Sequence, residues 1–433
     1  MESRCEMSES PVVVVGAGPV GLAAAAEVAE RGLPVVVLER GEHAGAAVTR
    51  WHHVRLFSPW SKLVAPAARR LLEPLGWRPP NGEDYPTGDE WARLYLRPLA
   101  EALGDRVRFG AEVVGVARRG RDRVVDAGRD AEPLTVHVRT AAGEERVTAR
   151  AVIDASGTWG SPNPLGGDGL PAIGEQAAGD RITYRIPNAA DRYVGKHVVV
   201  AGAGHSALTA LVAFAGLVER HPSTRVTWLL RRGAAVFGGG DADQLPARGA
   251  LGSRAKAAVE AGHIAVVPGF RTFAVERDER LTLVSSDGER VEAVDEVVVL
   301  TGFRPDLTWL SEIRLALDAT LQAPVGLAPL IDPNVHSCGT VPPHGVRELA
   351  HPEPNVFLAG MKSYGRAPTF LALTGYEQVR SIAAALAGDR EAAERVELVL
   401  PETGVCGGTG LFDASPASSG GCCGVQDVSL SAP

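Results

Sequence analysis

Residues 11–40 read PVVVVGAGPVGLAAAAEVAERGLPVVVLER. Val12 to Val15 form an unbroken apolar run, the pattern of a strand buried on both faces of a parallel sheet. Gly16-Ala17-Gly18-Pro19-Val20-Gly21 follows at once, and then a run of strong helix formers. Pro34 to Leu38 give a second buried strand, which ends in Glu39. Strand, glycine turn, helix and strand within about 30 residues make a dinucleotide-binding βαβ unit. Gly16 permits the tight turn, Gly18 admits a pyrophosphate close to the backbone, and Gly21 lets the helix pack closely on the strand. The pyrophosphate is expected at the helix N-terminus, where free N–H groups and the dipole favour an anion. Glu39, 23 residues beyond Gly16, is placed to accept hydrogen bonds from a ribose diol.

A second copy lies downstream. His197 to Val200 make its strand, Gly202-Ala203-Gly204-His205-Ser206-Ala207 its turn, LTALVAFAGLVER its helix, and Val226 to Leu230 its next strand. Ala207 takes the third glycine position, a substitution this fingerprint accepts. The second strand ends in Arg231-Arg232 where the first unit ends in Glu39. An acid accepts from a ribose 2′-hydroxyl and repels a 2′-phosphate, and an arginine pair does the opposite. Two sites of opposite sign imply two dinucleotides, most simply FAD in the first and NADPH in the second.

The remainder is organised around these units. Residues 41–105 are rich in Trp, Pro and Arg with little clean periodicity. Residues 107–152 alternate as an antiparallel meander would, feeding a buried strand at Ala151 to Asp154 and a small-residue turn, Ala155-Ser156-Gly157-Thr158. Asp295 to Leu300 and Asn355 to Ala359 read as further buried strands, followed by Thr301-Gly302-Phe303-Arg304-Pro305-Asp306 and by Gly360-Met361. A helix is expected over Phe370 to Leu386, and a Gly/Ser/Thr-rich mobile tail from Pro401. The net charge of −8 argues against nucleic acid as a partner, since phosphate-backbone binding wants a basic face. No stretch approaches the ~20 apolar residues of a membrane span. MESRCEMSES lacks the order of a signal peptide, and five cysteines in 433 residues make no disulfide framework, so a cytoplasmic setting is expected. No HExxH, His/carboxylate cluster or GxSxG supports metal or serine hydrolysis.

Taken together, VVVVGAGPVGLAAA, YPTGDEWARLYL, DASGTWGSPNP, VVVAGAGHSA, TGFRPD and VFLAGMKSYGRAPTFLALTGYEQVR resemble the two-dinucleotide flavoproteins over residues 11–395. More narrowly they resemble the flavin-containing monooxygenase and thioredoxin-reductase-like branch. GAGHSA and the closing GMKSYGRAPTFLALTGYEQVR look most like flavin-binding monooxygenases found beside arsenic-resistance genes. The resemblance implies an α/β fold of two Rossmann-like FAD/NAD(P)-binding domains, the second inserted into the first, with a β-meander. FAD would be bound by residues 11–190 and 316–400 and NADPH by 191–315, leaving 401–433 as a Cys-containing tail. The implied FAD contacts are Gly16, Gly18, Pro19, Val20, Gly21, Glu39, Arg40, Trp51, Val113, Gly157, Gly360 and Met361. Those implied for NADPH are Gly202, Gly204, His205, Ser206, Ala207, Arg231, Arg232, Gly302 and Phe303.

Two departures stand out. The monooxygenase fingerprint places a His before an aromatic–basic pair, and here Tyr184-Arg185 is present but the His position holds Asp180. The family's active-site Asn is missing from VRLFSPW, where Ser58 is the nearest small polar group. Ser58 and His53, the latter beside His52 in the Trp-rich segment, are the candidate catalytic side chains. The resemblance implies an NADPH-dependent flavin monooxygenase, in which NADPH reduces FAD, O₂ adds to give a C4a-hydroperoxide, and oxygen passes to a small soft nucleophile, with a trivalent arsenical as the expected substrate here. A thioredoxin-reductase-like enzyme needs a CxxC, and this chain has none. An NADPH-driven reductase or oxidase without oxygen insertion stays open. So does a metalloid carrier using Cys406, Cys422 and Cys423 as soft ligands. The expected partners are a small-molecule substrate and O₂, with a monomer or homodimer as the assembly.

Overall fold

The computed structural model describes residues 9–188, 191–237, 245–335, 341–367 and 370–398. Along the chain, β1 (Val12–Val15), α1 (Pro19–Glu30), β2 (Val35–Leu38) and β3 (Val107–Arg108) lead into β4 (Glu112–Arg118), β5 (Leu134–Thr140), β6 (Gly143–Ala149) and β7 (Ala151–Asp154). Next come β8 (Ile182–Thr183), β9 (His197–Ala201), α2 (His205–Arg220), β10 (Arg225–Leu229), α3 (Pro246–Glu260) and β11 (Ala265–Val267). They are followed by β12 (Thr272–Arg277), β13 (Leu281–Ser285), β14 (Arg290–Val294), β15 (Glu296–Val299), β16 (Val356–Leu358) and α4 (Ala372–Leu386).

Two five-stranded parallel sheets result, in the orders β16-β7-β1-β2-β3 and β11-β10-β9-β15-β8. The second sheet lies in sequence between β7 and β16 of the first. Valines 12–14 are wholly buried because both faces of the first sheet are covered. On one face α1 lies between the sheet and α4, and Gly375 of α4 lets Val20 approach to 2.6 Å of where a Cβ would stand. The other face packs against the antiparallel sheet β4-β5-β6.

The structure departs from the sequence reading in four places. Residues 41–105 contain short helices, Ala46–Thr49, Pro66–Leu72, Gly88–Trp91 and Arg97–Leu103, with a π-helical stretch at Ala92–Leu96. Their one- or two-turn lengths and the burial of Trp91, Ala92, Tyr95, Leu96 and Leu99 erase any one-sided periodicity. Val107–Arg108 pairs in parallel with β2 rather than joining the meander, because Gly110, at φ +64°, turns the chain before β4. A second antiparallel sheet, β12-β13-β14, is present that the sequence pattern did not announce. Finally, β8 pairs with β15 ahead of the expected break at residues 190/191, and Leu310 and Ile313 rejoin the first core before 315/316.

A buried ion cluster fixes the return of the chain. Arg118 of β4 and Arg129 donate to opposite oxygens of Glu353, at 2.7 Å each, just before β16. Burial pushes the Glu353 carboxyl up, but the hydrogen bonds from Arg129 and Arg118 outweigh it and leave the group below its ordinary pKa. No described helix is long and apolar enough to cross a membrane.

Candidate functional site

The first glycine turn joins β1 to α1. Gly16 has φ +100°, and a Cβ there would stand 3.0 Å from Ala155 O and from Ser156 Cα at the end of β7. A Cβ on Gly21 would stand 1.9 Å from Gly16 O, so helix and turn are in backbone contact. Around Gly18 nothing among the described residues lies within 4 Å of a Cβ position, and the same holds at Gly157. No side chain caps α1, which begins with Pro19 and Val20. The result is an open concavity lined by backbone at a helix N-terminus, the shape and polarity a pyrophosphate requires.

Glu39 is held on both oxygens. Oε2 accepts from Ala17 N–H and Oε1 from Gly41 N–H, each at 2.7 Å. The carboxylate thus sits against the glycine turn with lone pairs left for a ribose diol. Arg40 lies against Gly160, its Nη2 3.0 Å from a Cβ position there. Val113 lies two residues beyond Ala111, whose N–H donates to the backbone O of Glu39 at 2.9 Å, so β4 begins beside the main chain at Glu39. Trp51 is engaged in packing: its ring lies 2.7 Å from a Cβ position on Gly88 and 6.5 Å, centroid to centroid, from Trp91.

At the end of β16 the expected contacts take a different form. Gly360, at φ +69°, packs on Val20, but its N–H is already given to Gln378 Oε1 at 2.8 Å. Gln378 in turn donates to His344 Nε2 and to Ser363 Oγ, at 2.8 and 2.9 Å. Met361, half-buried, is the residue here nearest the outside. Beside it, Lys362 Nζ stands 2.6 Å from Asp154 Oδ2, an ion pair whose alignment falls short of a hydrogen bond. The same ammonium donates to Ser156 Oγ at 3.0 Å and lies over the Trp309 ring at 4.7 Å. Neither Lys362 nor Asp154 is more than 1% exposed, and sequence reasoning missed the pair. A lysine two residues after the glycine of a strand end was the only signal in the sequence.

The second turn repeats the design. Gly202 has φ +126°, and its Cβ position lies 2.3 Å from Leu300 O. Gly204 faces open space, no side chain caps α2, and Ala207 is fully buried beneath the turn. Arg231 and Arg232 follow β10, where Arg231 Nη1 donates to Gly167 O at 3.2 Å. Burial first, then the charges of Arg232 and Arg271, hold the Arg231 pKa below its ordinary value. Arg271, brought there by the turn before β12, was not identified from sequence. Gly302 and Phe303 close on the segment after β7: Asn163 N–H donates to Gly302 O at 2.9 Å, and Phe303 meets Trp159 at 5.2 Å.

One loop spans the two turns. Gly45 N–H donates to Ala17 O at 2.9 Å, and the chain runs on through the short helix Ala46–Thr49 to His52 and His53. Among the described residues, neither buried ring nitrogen of His53 has a hydrogen-bond partner of good geometry. Burial, then His52, lowers its pKa, while the carbonyls of Pro187 and Ile186 act the other way. Ser58 is half-buried. Next to it, Phe57 lies edge-on to His205, the first residue of α2 after Gly204. Asp180 takes no part: it is ion-paired with Arg277 at the surface, at 2.6 Å. Tyr184 donates its hydroxyl to buried Glu175 at 2.5 Å. Cys406, Cys422 and Cys423 lie outside the described residues, and those described contain no group of His, Cys, Asp or Glu able to hold a metal.

A family model described as pyridine nucleotide-disulphide oxidoreductase matches residues 13–325. The chain belongs to that family. FAD and NADPH are accordingly its cofactors, and the two open glycine turns fit two dinucleotides. The chain is 33% identical over 208 residues to indole-3-pyruvate monooxygenase YUCCA1 of Oryza sativa subsp. japonica, covering 48% of this chain and 45% of the relative. It thus spans less than half the length of the first curated relatives it matches. Its fold is shared with bacillithiol disulfide reductase from Bacillus cereus (22% identity, TM-score 0.67, 88% of this chain and 99% of that one). Flavin-containing monooxygenase from Stenotrophomonas maltophilia shares it too (22% identity, TM-score 0.56, 87% and 98%).

Proposed function

We propose that this oxidoreductase is an NADPH-dependent flavin monooxygenase that inserts oxygen into a small soft nucleophile, with a trivalent arsenical as the substrate class. The observation that carries the reading is the loop from Gly45 to Phe57, which touches both glycine turns, in a chain with no CxxC to receive electrons between them. Bound FAD supplies acceptance of a hydride from NADPH and delivery of two electrons to O₂. The chain's own residues do the rest. The α1 N-terminus and Gly18 take the first pyrophosphate, and Glu39 takes a ribose diol. The α2 N-terminus and Gly204 take the second pyrophosphate. Arg231 and Arg232, with Arg271, gather positive charge for a 2′-phosphate. The loop at 51–60 covers the seam between the turns and excludes water. Residues 11–190 with 316–400 form the FAD-binding half in this reading, and 191–315 the NADPH-binding half, with edges adjusted to β8 and Leu310.

Arsenic rests on the likeness of GAGHSA and the closing motif, and on the three tail thiols as soft ligands. Two observations favour a second reading, an NADPH oxidase or reductase without oxygen insertion. Asp180 is spent on Arg277 at the surface, and VRLFSPW lacks the monooxygenases' Asn, with Ser58 its nearest small polar group. Turnover of arsenite, methylated arsenicals, sulfides and amines under ¹⁸O₂ distinguishes the two. Label in the product is the expected result. Unlabelled product with hydrogen peroxide matching NADPH consumption overturns the monooxygenase.

A further inference from the structure

Phe57 and His205 belong to opposite halves of the molecule, yet their rings meet edge-on with centroids 5.3 Å apart and planes at 63°. Phe57 sits on a flap pinned by backbone hydrogen bonds: Leu56 N–H to Pro86 O at 2.8 Å, Gly88 N–H to Val54 O and Trp60 N–H to Asp84 O at 2.9 Å each. The flap is tied to the first sheet through Gly45 and Ala17. Even so, Phe57 packs against the core of the second sheet, as does Ile186. It remains half-buried beside Gly204, where nothing lies within 4 Å of a Cβ position. A residue serving only as core filler would not stand at the mouth of an open glycine turn.

The direction of a bound dinucleotide follows from the charges. With its pyrophosphate at the start of α2, the adenosine half runs toward Arg231 and Arg232 after β10. The other half leaves toward the seam between the two glycine turns, where Phe57 stands. We propose that Phe57 is the wall of the second site against which the nicotinamide half of NADPH is positioned, so that the FAD-binding half completes the NADPH site. This rests on the reading of the second turn as the NADPH site. Phe57 is here a positioning residue. Its flat apolar edge removes water from one side of the nicotinamide ribose and narrows the orientations open to it.

The test uses two ligands on the full-length, FAD-loaded protein: NADP⁺, and 2′,5′-ADP, which lacks the nicotinamide half. Calorimetric Kd values are compared for wild type, Phe57→Ala and Phe57→Tyr. Phe57→Ala is expected to weaken NADP⁺ by about three- to tenfold, the range of one aromatic contact, and to leave 2′,5′-ADP within about twofold. Phe57→Tyr should restore NADP⁺ to near the wild-type value. Unchanged NADP⁺ affinity overturns the proposal. So does equal weakening of both ligands, which marks a structural role, or tighter NADP⁺ binding, which marks an obstruction. Failure of 2′,5′-ADP to bind wild type overturns the NADPH reading itself, and the proposal with it. Should Phe57→Ala lose FAD, Phe57→Leu keeps the apolar bulk and must show the same split between ligands at smaller size.

Discussion

A Cβ on Gly21 would stand 1.9 Å from Gly16 O, whereas one on Gly18 would meet nothing within 4 Å. Gly18 also has an extended backbone, φ −82° and ψ −175°, that any residue adopts. The two glycines therefore fail differently. Gly18→Val should fold, remain soluble and lose most of its FAD, because its side chain fills the space of a phosphate and not of the protein. Gly21→Val should lose soluble yield outright. The ratio of flavin to protein absorbance in the soluble fraction, read beside yield, separates them; a yellow Gly18→Val protein would remove the first turn as the pyrophosphate site. Charge gives the companion expectation at Arg231 and Arg232. Charge-assisted hydrogen bonds are worth about 1.5–3 kcal/mol, so NADPH should be preferred to NADH by roughly ten- to a hundredfold in anaerobic flavin reduction. Replacing both arginines by Ala should erase most of that difference, and equal efficiency with NADH in the wild type would refute the assignment.

Between β7 and β16 the Lys362–Asp154 pair acts as a clamp across two neighbouring strand ends. Removing one member leaves the other charged and buried, a cost of about 3–5 kcal/mol, whereas removing both leaves no orphan charge. Lys362→Met should therefore destabilise more than Lys362→Met with Asp154→Leu, in denaturant titrations of the FAD-loaded protein; a double variant worse than the single contradicts this account. The strands themselves were legible: β1, β2, β7 and β9 are apolar runs beside glycine turns, and no competing structure suits such runs there. The clamp was not, because Asp154 and Lys362 lie far apart in sequence and only the pairing of β7 with β16 brings them together. Gly360 illustrates the same limit. Its need to be glycine was readable, but the gift of its N–H to Gln378 depends on how α4 lies across the strand end. In 41–105 the obstacle was local, since helices of one or two turns buried on several sides carry no stripe to read.

Over the whole molecule, burial leaves several histidines harder to protonate than in the unfolded chain. His351 accepts from Ala316 N–H at Nδ1, its Nε2 is buried without a partner, and burial lowers its pKa from 6.5 to about 4. Burial likewise lowers His53, His197 and His344. Between 6.5 and about 4 the unfolded chain binds more protons at His351 than the folded one, so stability is retained above 6.5 and lost as the pH falls through that window. For His351 alone the loss is on the order of 3 kcal/mol. Denaturant titrations at pH 7 and 5 should show the fall, and His351→Gln should reduce it; an unchanged slope in that variant would place the sensitivity elsewhere. The nesting of one sheet inside the other also has a consequence in time. β7 is complete once residue 154 is made, but its partner β16 begins at Val356. At ~5–20 residues per second, some 10–40 s of synthesis separate them. Throughout that interval the outer edge of β7 is unpaired, and within it β8, β9, β10, β11 and β15, the strands of the inserted sheet, are all synthesised before β16. Gly360 and α4 reach Val20 last of all. Colour should therefore lag behind chain completion in a pulse-labelled translation, and the half-made chain, with an unpaired strand edge, is the form most exposed to aggregation.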